Sequence, residues 1–493
     1  MVMRRRDVLK CAVALPLTAS VKAYEPPMDY ARLTAAEAAR GIRLGGFTAE
    51  DYVEALIELD RTWATLNAFI SRDHDVLREN ARAADKRRAS GAELGPLHGV
   101  PIALKDNIAT AALPTTAGTA ALRDFRPANN AVVAQKLFDA GALLFGKNNM
   151  HELAIGITNN NRTFGPARNP YDQAMIPGGS SGGTGAALAA RITPAGLGTD
   201  TGGSVRIPAS LCGATGFRPT TGRYPGDGLV PYAGAMATAG PMARSVEDLV
   251  LIDSVITGEM QQDAVAPDSL RIGVPEAHFF EDLDSQVANV VQQALDRLED
   301  AGAILVRANV HGLQELLSAG RGSPSIQETI AGYAEFFRAS GISAEDYVAQ
   351  VVDPFIRERL ARSLLGTGDT REAEGPSAGE IRSRYRELLN AYFEVNGLDA
   401  LAIPSTPMPA RAIGRDETVE LNGRQVSTFQ TYVRNTLVGS AAGLPCVAMP
   451  AGMTDSGLPV GIEFDGPAGG DRRLLSIARV MESLLPDLQP PAA

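Results

Sequence analysis

Two clusters of glycine and serine lie close together in the sequence and have the residue types that nucleophilic chemistry needs. The first is GGSSGG at 178–183, the second is GGS at 202–204, and an Ala/Leu-rich run at 184–191 predicts a helix between them. Glycine has no Cβ, so such clusters allow positive φ angles and a close approach of the backbone. Two tight turns joined by a helix would hold two serine hydroxyls beside free backbone N–H groups. Acyl transfer requires this combination of nucleophile, proton carrier and oxyanion site.

The two clusters belong to longer motifs. The second continues as GTDTGGSVRIP at 198–208, and GVPIALKDNI lies upstream at 99–108; Lys105 precedes Ser180 by 75 residues, and Ser180 precedes Ser204 by 24. In these motifs and spacings the chain resembles the amidase signature family of serine hydrolases, over about residues 33–483. The resemblance implies an α/β fold, a single large layered domain whose central mixed, twisted sheet is flanked by helices, with a helical insertion forming a lid.

The resemblance also implies catalytic roles for three residues. Ser204 matches the nucleophile, Ser180 matches a bridging serine whose preceding peptide bond is cis, and Lys105 matches the terminal base. In this relay a neutral Lys105 takes a proton from Ser180, which takes one from Ser204. Lysine ordinarily titrates at about 10.4, so burial has to disfavour its charged form. The apolar run PIAL at 101–104 leads directly to Lys105 and is compatible with such burial.

Counting residue types leaves a serine–histidine–aspartate triad open, because the chain has five histidines: His74, His98, His151, His278 and His311. However, Ser204 has no glycine two places after it, so it does not match the G-x-S-x-G nucleophile motif. The first glycine cluster ends in Gly183-Thr184-Gly185 and lacks the lysine of a phosphate-binding loop. The stretch 196–202 also has the wrong spacing for G-x-G-x-x-G, so we expect no nucleotide. His98 and His151 are single, and His151-Glu152 lacks the second histidine of H-E-x-x-H, so we expect no metal and no other cofactor.

The positions that would stabilise the oxyanion and contact the substrate come from the resemblance. It places the oxyanion donors at the backbone N–H groups of Thr201, Gly202 and Gly203, and the main chain around Ala154 in the acyl site. Arg206 is expected to support the nucleophile turn by hydrogen bonding. Asp200 has two interpretations, a cap for this turn or a partner for a nearby cation, and we prefer the cap.

Two further blocks bear on the substrate. NMHELAIGIT at 149–158 and the stretch 198–224 resemble the indoleacetamide and mandelamide hydrolase branch of the family. They predict an amidase that converts a small primary aryl-acetamide-like amide into a carboxylate and ammonia. Aryl acylamides, peptide C-terminal amides and cyclic amides remain alternatives for the same three residues. A glutaminase-type subunit of a tRNA amidotransferase is the alternative from another functional class.

Composition narrows the classes of partner. The chain has 493 residues and a net charge of −11, without a dense basic run in its body, so nucleic-acid binding is not expected. Cys212 and Cys446 are far apart in sequence and resemble small buried apolar side chains rather than a disulfide framework. A homodimer is one assembly that is compatible with the sequence.

The first 23 residues have the layout of an export signal. RRRDVLK at 4–10 is basic and resembles the twin-arginine pattern, an apolar run follows to Val21, and small residues precede a cleavage point before Tyr24. The expected location is the periplasm or the exterior, with no membrane association after cleavage; the cytoplasm is expected if the signal is not used. The predicted organisation is signal 1–23, amidase domain 24–485 and a flexible tail 486–493.

Several elements are required to position the candidate residues. Strands predicted at 100–104 and 193–197 lead to Lys105 and to the second glycine cluster, and their alternation with helices predicts a layered α/β sheet. From about 313 to 395 only helical periodicity is present, with a polar loop at 366–379 and several aromatic residues. We interpret this segment as a helical insertion lying over the sheet core.

Overall fold

The computed structural model describes residues 29–230, 236–260, 265–319, 331–333, 336–337, 342–366 and 378–492. Its strands are β1 (Phe69–Ser71), β2 (Pro101–Lys105), β3 (Leu143–Asn148), β4 (Ala195–Asp200), β5 (Thr215–Arg218), β6 (Thr238–Ala243), β7 (Arg271–Gly273), β8 (Ile304–Val306), β9 (Ala400–Pro404), β10 (Thr418–Leu421), β11 (Arg424–Ser427), β12 (Cys446–Met453) and β13 (Pro459–Asp465). The predicted signal at 1–23 lies outside the described residues.

The α-helices of the described residues are α1 (Ala35–Leu44), α2 (Ala49–Thr62), α3 (His74–Ala89), α4 (Val132–Asp139), α5 (Gly182–Ala189), α6 (Arg206–Leu211), α7 (Val246–Thr257), α8 (Glu276–Phe279), α9 (Ser285–Asp300), α10 (Leu313–Ala319), α11 (Ala344–Gln350), α12 (Pro354–Leu365), α13 (Ala378–Asn396), α14 (Thr428–Val433), α15 (Thr436–Ala442) and α16 (Asp471–Leu484). Within these ranges, no helix combines the length and apolar composition that a bilayer crossing requires.

Eleven of the described strands form one mixed sheet in the order β1-β3-β2-β4-β6-β5-β12-β13-β9-β7-β8, and β10 and β11 form a separate hairpin. β2 runs parallel to both β3 and β4, whereas β4 runs antiparallel to β6. Helices α5, α6, α7, α9 and α16 pack against this sheet. The predicted α/β fold with a central mixed sheet flanked by helices is therefore confirmed.

The arrangement of β2 and β4 positions the site. Because the two strands are parallel neighbours, their carboxyl ends lie at the same edge of the sheet. β2 ends at Lys105 and β4 ends at Asp200, just before the second glycine cluster. Both strands are buried along their whole length, including the polar side chains at their carboxyl ends.

Two elements near the site, β4 and α5, begin at other residues than predicted. The strand predicted at 193–197 is Ala195–Asp200, since Pro194 cannot donate to a ladder and the strand starts after it. The helix predicted at 184–191 begins at Gly182, in the glycine cluster itself. A Cβ at Gly183 would lie 2.4 Å from the backbone oxygen of Asn149, so close packing explains why a weak helix former starts this helix.

Helices make up most of the described part of segment 313–395, joined by short non-helical stretches such as 351–353, and this described part contains no strand. Most of the predicted polar loop at 366–379 lies outside the described residues. Tyr347, Val348, Val351, Ile356 and Leu360 share one buried apolar cluster with residues that precede the insertion; these are Ala117, Leu122, Leu153, Ile155 and Val230. The insertion therefore packs against the segment that contains Ala154. The boundaries of the insertion within the domain, and the flexibility of the tail at 486–493, stay predictions.

Candidate active site

Lys105 is the last residue of β2, and its side chain is fully buried. Its Nζ lies 2.7 Å from Ser180 Oγ and 2.8 Å from Thr199 Oγ1, and it also donates to the Thr199 carbonyl oxygen at 3.3 Å. No carboxylate within the described residues forms an ion pair with this amine. The structure thus brings two of the three predicted catalytic residues into direct contact.

Burial controls the protonation of Lys105. Desolvation lowers the pKa of the ammonium to about 7, from an ordinary value near 10.5, and the negative charge of Asp200 partly opposes this shift. A substantial fraction of Lys105 is therefore uncharged at neutral pH. An uncharged amine beside a hydroxyl can accept its proton, which is what a terminal base has to do.

Ser180 is fully buried, and the Gly179–Ser180 peptide bond is cis. Its backbone oxygen accepts a hydrogen bond from the His151 N–H at 3.2 Å. The next residue, Ser181, lies at the N-terminus of α5 and bonds to Thr199 through its hydroxyl, with Oγ donating to the Thr199 carbonyl oxygen at 3.3 Å. The first glycine cluster is thereby joined to β4 as well as to β2.

Ser204 lies in the turn between β4 and α6 and is partly exposed, unlike Lys105 and Ser180. Its backbone oxygen accepts a hydrogen bond from Ser181 N–H at 3.3 Å, so the two serine-containing turns are in contact. Within the described residues, no hydrogen bond joins the Ser204 hydroxyl to Ser180. The structure brings the turns together and leaves the Ser204 side chain accessible, while the complete relay stays a prediction.

A buried charge network underlies the nucleophile turn. The carboxylate of Asp200 pairs with Arg206 at 3.1 Å and with Arg218 at 3.0 Å, and it accepts the N–H groups of Gly203 and Val205 at 2.9 and 3.2 Å. These two cations hold the pKa of Asp200 well below its usual range against the opposing effect of burial. Asp200 is therefore both the cap that we preferred and the cation partner, and Arg206 supports the turn as expected.

The predicted oxyanion positions differ in their geometry. Gly203 has a φ of +123°, and a Cβ there would lie 2.2 Å from Thr436 Oγ1, so only glycine fits. Its N–H already donates to Asp200. Within the described part of the chain, the N–H groups of Thr201, Gly202 and Ser204 have no protein acceptor. Among the described residues, a Cβ at Gly202 would meet Leu437 alone, at an ordinary 3.5 Å, so none of them demands a glycine there.

Ala154 lies in a 3₁₀ turn, Glu152–Ala154, that is linked to the site through His151. His151 N–H donates to the Ser180 oxygen, and the His151 oxygen accepts the Ala154 N–H at 3.0 Å. Leu153 and Ala154 have φ angles of +55° and +53°, which non-glycine residues seldom adopt. Unusual backbone of this kind is frequently found at functional sites. The assignment of Ala154 to the acyl site stays a prediction.

Two residues that contact the site were missed in the sequence. Thr199 bonds to Lys105 through its hydroxyl, and Asn107 Nδ2 donates to that same hydroxyl at 3.2 Å. Both lie within the quoted motifs, Asn107 two residues after Lys105 and Thr199 one residue before Asp200. Consecutive side chains of a strand point to opposite faces of the sheet, so Thr199 and Asp200 of β4 have different neighbours. This alternation is the signal that could have indicated a separate role for Thr199.

The histidines of the described chain do not form a triad with Ser204. The His98 and His278 rings lie against backbone oxygens, and His74 pairs with Asp60. The His151 ring lies near the site, but its buried Nδ1 has no partner, and burial lowers its pKa.

A group that could hold a metal was also not predicted. Cys446, Glu463 and Asp465 are buried, and one potential ligand atom of each lies within 4.8 Å of the others. Glu463 Oε1, however, accepts a 2.5 Å hydrogen bond from Arg206, which extends the charge network below Ser204. We assign the cluster to that network. Cys212 and Cys446 are both buried and free, as expected.

The chain is similar to known proteins over most of its length. A family model described as Amidase matches residues 51–475. The indoleacetamide hydrolase of Allorhizobium ampelinum is 37% identical over 453 residues, covering 90% of this chain and 96% of the relative. The mandelamide hydrolase of Pseudomonas putida is 38% identical over 488 residues, covering 95% and 94%. The crystal structure of the peptide amidase from Stenotrophomonas maltophilia aligns with a TM-score of 0.78 at 29% identity, covering 94% and 99%.

The charge state of Lys105 gives a direct prediction. In protein labelled with ¹³C at the lysine ε carbon, the Lys105 resonance should titrate at about pH 7, whereas exposed lysines titrate near their ordinary value. Lys105→Met removes this resonance and identifies it. Lys147, which is buried beside Asp106 and has a pKa lowered to about 8, serves as the internal comparison. A Lys105 midpoint above 9 would show that burial does not neutralise this amine.

Proposed function

The chain belongs to the amidase family, and on that premise we propose that it hydrolyses a small primary amide with an aryl-acetic type of acyl group. The products are the carboxylate and ammonia. The observation that carries the proposal is the 2.7 Å contact between the buried amine of Lys105 and the Ser180 hydroxyl, beside the turn that presents Ser204. The two relatives named for arylacetamide-like substrates support this substrate class.

In the proposed reaction, Ser204 Oγ attacks the amide carbonyl carbon while its proton passes to Ser180, whose own proton passes to Lys105. The C–N bond then breaks, and the protonated relay returns a proton to the leaving nitrogen, which departs as ammonia. Water attacks the resulting ester in the same way, releasing the carboxylate and restoring the Ser204 hydroxyl. The relay works because Lys105 accepts the proton uncharged, at a pKa of about 7.

The free N–H groups of the nucleophile turn support stabilisation of the oxyanion. Those of Thr201, Gly202 and Ser204 have no protein acceptor within the described residues, so they are available to a negatively charged oxygen. Donors of this kind contribute about 3–4 kcal/mol to transition-state stabilisation in serine hydrolases. Gly203, in contrast, contributes by holding the turn, since its N–H is bonded to Asp200.

A substrate panel tests the proposed function. Purified protein is incubated with phenylacetamide, mandelamide, indole-3-acetamide, propionamide, an anilide, a peptide amide and glutamine, and ammonia or amine release is measured. The arylacetamides should have the highest kcat/KM, by at least about tenfold over propionamide, because a larger apolar group gains more free energy when it is removed from water. Fastest turnover of the anilide or peptide amide would place the chain among the alternative amidases. Turnover of glutamine alone would favour the amidotransferase alternative.

Substitution of the proposed nucleophile gives a second test. Ser204→Ala should lower kcat by at least about 10⁴-fold, since no other hydroxyl replaces the attacking oxygen. Ser269→Ala, at an exposed position, is the matched control and should leave kcat unchanged. Circular dichroism should show the same folded spectrum for both variants. Turnover by Ser204→Ala within tenfold of the unaltered protein would reject Ser204 as the nucleophile.

We also propose that residues 1–23 direct export and are removed. The basic start, the apolar run and the small residues before Tyr24 support this location. N-terminal sequencing of protein recovered from the periplasm should begin at Tyr24. Replacing Arg5 and Arg6 by lysine should retain the precursor in the cytoplasm, whereas replacing Arg4 alone should not. Periplasmic protein that begins at Met1 would exclude cleavage.

A further inference from the structure

The carboxylate of Glu152 joins two parts of the molecule that are about 200 residues apart in sequence. Its Oε2 accepts the Asp353 N–H at 2.9 Å, and its Oε1 accepts the Val352 N–H at 3.3 Å and the Thr119 hydroxyl at 2.9 Å. The two N–H groups lie immediately before α12, in the helical insertion. The insertion is therefore bonded to the rest of the chain through a side chain of the turn that contains Ala154.

The same turn has backbone hydrogen bonds on both sides of Glu152, and one of them reaches Ser180. His151 N–H donates to the backbone oxygen of Ser180, and Leu153 N–H donates to the backbone oxygen of Ala117 at 2.8 Å. Glu152 thus lies between the bridging serine and the insertion. A displacement of this residue would move both the backbone beside the acyl site and the start of α12.

Because the Glu152 carboxylate is buried, these hydrogen bonds are important for holding its side chain in place. The side chain is 1% exposed, and within the described residues no lysine, arginine or histidine pairs with it. A buried carboxylate without a cation depends on hydrogen bonds from neutral donors. Here three such donors converge on it, two of them from the insertion. Burial raises the pKa of the Glu152 carboxyl, which agrees with a group that has lost its water without gaining a counter-ion.

The surroundings of these bonds are apolar. Leu153 and Ile155 of the catalytic side share one buried cluster with Tyr347, Val351 and Ile356 of the insertion. Apolar contact is not directional, so it does not fix the register between the two parts. Hydrogen bonds from Val352 and Asp353 to one carboxylate do fix that register, because they require particular donor positions.

We propose that Glu152 is a positioning residue for substrate specificity: it holds the insertion against the Ala154 turn, so that the aryl part of the acyl group is enclosed between them. The inference rests on the proposed function for its substrate class. The reacting groups, Lys105, Ser180 and Ser204, do not touch Glu152. Its loss should therefore weaken binding of the larger substrate more than it slows the chemical step.

The first experiment compares Glu152→Gln with Glu358→Gln, an exposed position on α12 that pairs with Arg362. For phenylacetamide, Glu152→Gln should raise KM by about tenfold and change kcat by less than about threefold. For propionamide, which has no ring to enclose, KM should change by less than about twofold. In hydrogen exchange, residues 344–365 should lose protection while α5 keeps it. Glu358→Gln should match the unaltered protein in all these measurements.

A second pair of variants tests the same bonds from the insertion, and it decides the matter if Glu152→Gln does not fold. Asp353 has a φ of −69°, which proline adopts, and its side chain also caps α12 by accepting from Phe355 and Ile356 N–H. Asp353→Ala removes the cap and keeps the N–H, whereas Asp353→Pro removes both. The additional rise in phenylacetamide KM from Ala to Pro should be at least about threefold.

The outcomes separate this inference from the proposed function. Unchanged KM and unchanged exchange in Glu152→Gln would overturn the inference, as would an equal loss of kcat for both amides with unchanged exchange. Equal KM values for Asp353→Ala and Asp353→Pro would overturn it too. If the unaltered protein hydrolyses no amide of the panel, the proposed function fails. The exchange of residues 344–365 in Glu152→Gln then still decides whether Glu152 holds the insertion.

Discussion

The site depends on one buried lysine that has no counter-ion among the described residues. Lys105 reaches its position because β2 is parallel to β4 and ends beside it, and its amine contacts hydroxyl groups of Ser180 and Thr199. Hydroxyl groups satisfy the N–H donors without demanding a positive charge. A carboxylate in the same place would favour the ammonium form and raise its pKa. The choice of neutral partners is thus what gives the amine its capacity to accept a proton near pH 7.

Keeping Lys105 without a counter-ion requires that nearby acids have other partners. Asp106 follows Lys105 directly, and its carboxylate lies 3.6 Å from the buried amine of Lys147. Asp200 is held by Arg206 and Arg218, so its charge opposes the effect of burial on Lys105 only in part. The same arginine contacts hold the Ser204 turn. One network of buried ion pairs therefore both shapes the turn that contains Ser204 and limits the negative potential at Lys105.

The sequence motifs predicted the residues of the site better than the connections between them. Lys105 and Ser180 lie in motifs whose residue types are unusual enough to indicate a role, and they meet where the turn before α5 lies beside the end of β2. Arg218 and Glu463 could not be assigned, because their importance arises from strand pairing across β5, β12 and β13. The predicted elements were accurate where apolar runs were long. β5 and β6 were missed because glycine, proline and short length obscure their pattern.

The turn Glu152–Ala154 connects the residues of the site with the helical insertion. Leu153 and Ala154 both have left-handed backbone, at a cost of about 1–2 kcal/mol each, so the turn needs support from its neighbours. That support comes from the catalytic region through His151 and from the insertion through Glu152. The contacts of Lys105 with Ser180 and Thr199 and the ion pairs of Asp200, in contrast, involve no described residue of the insertion. The contacts that set the charge state of Lys105 therefore belong to the sheet and its glycine turns, whereas the proposed wall around the acyl group includes the insertion.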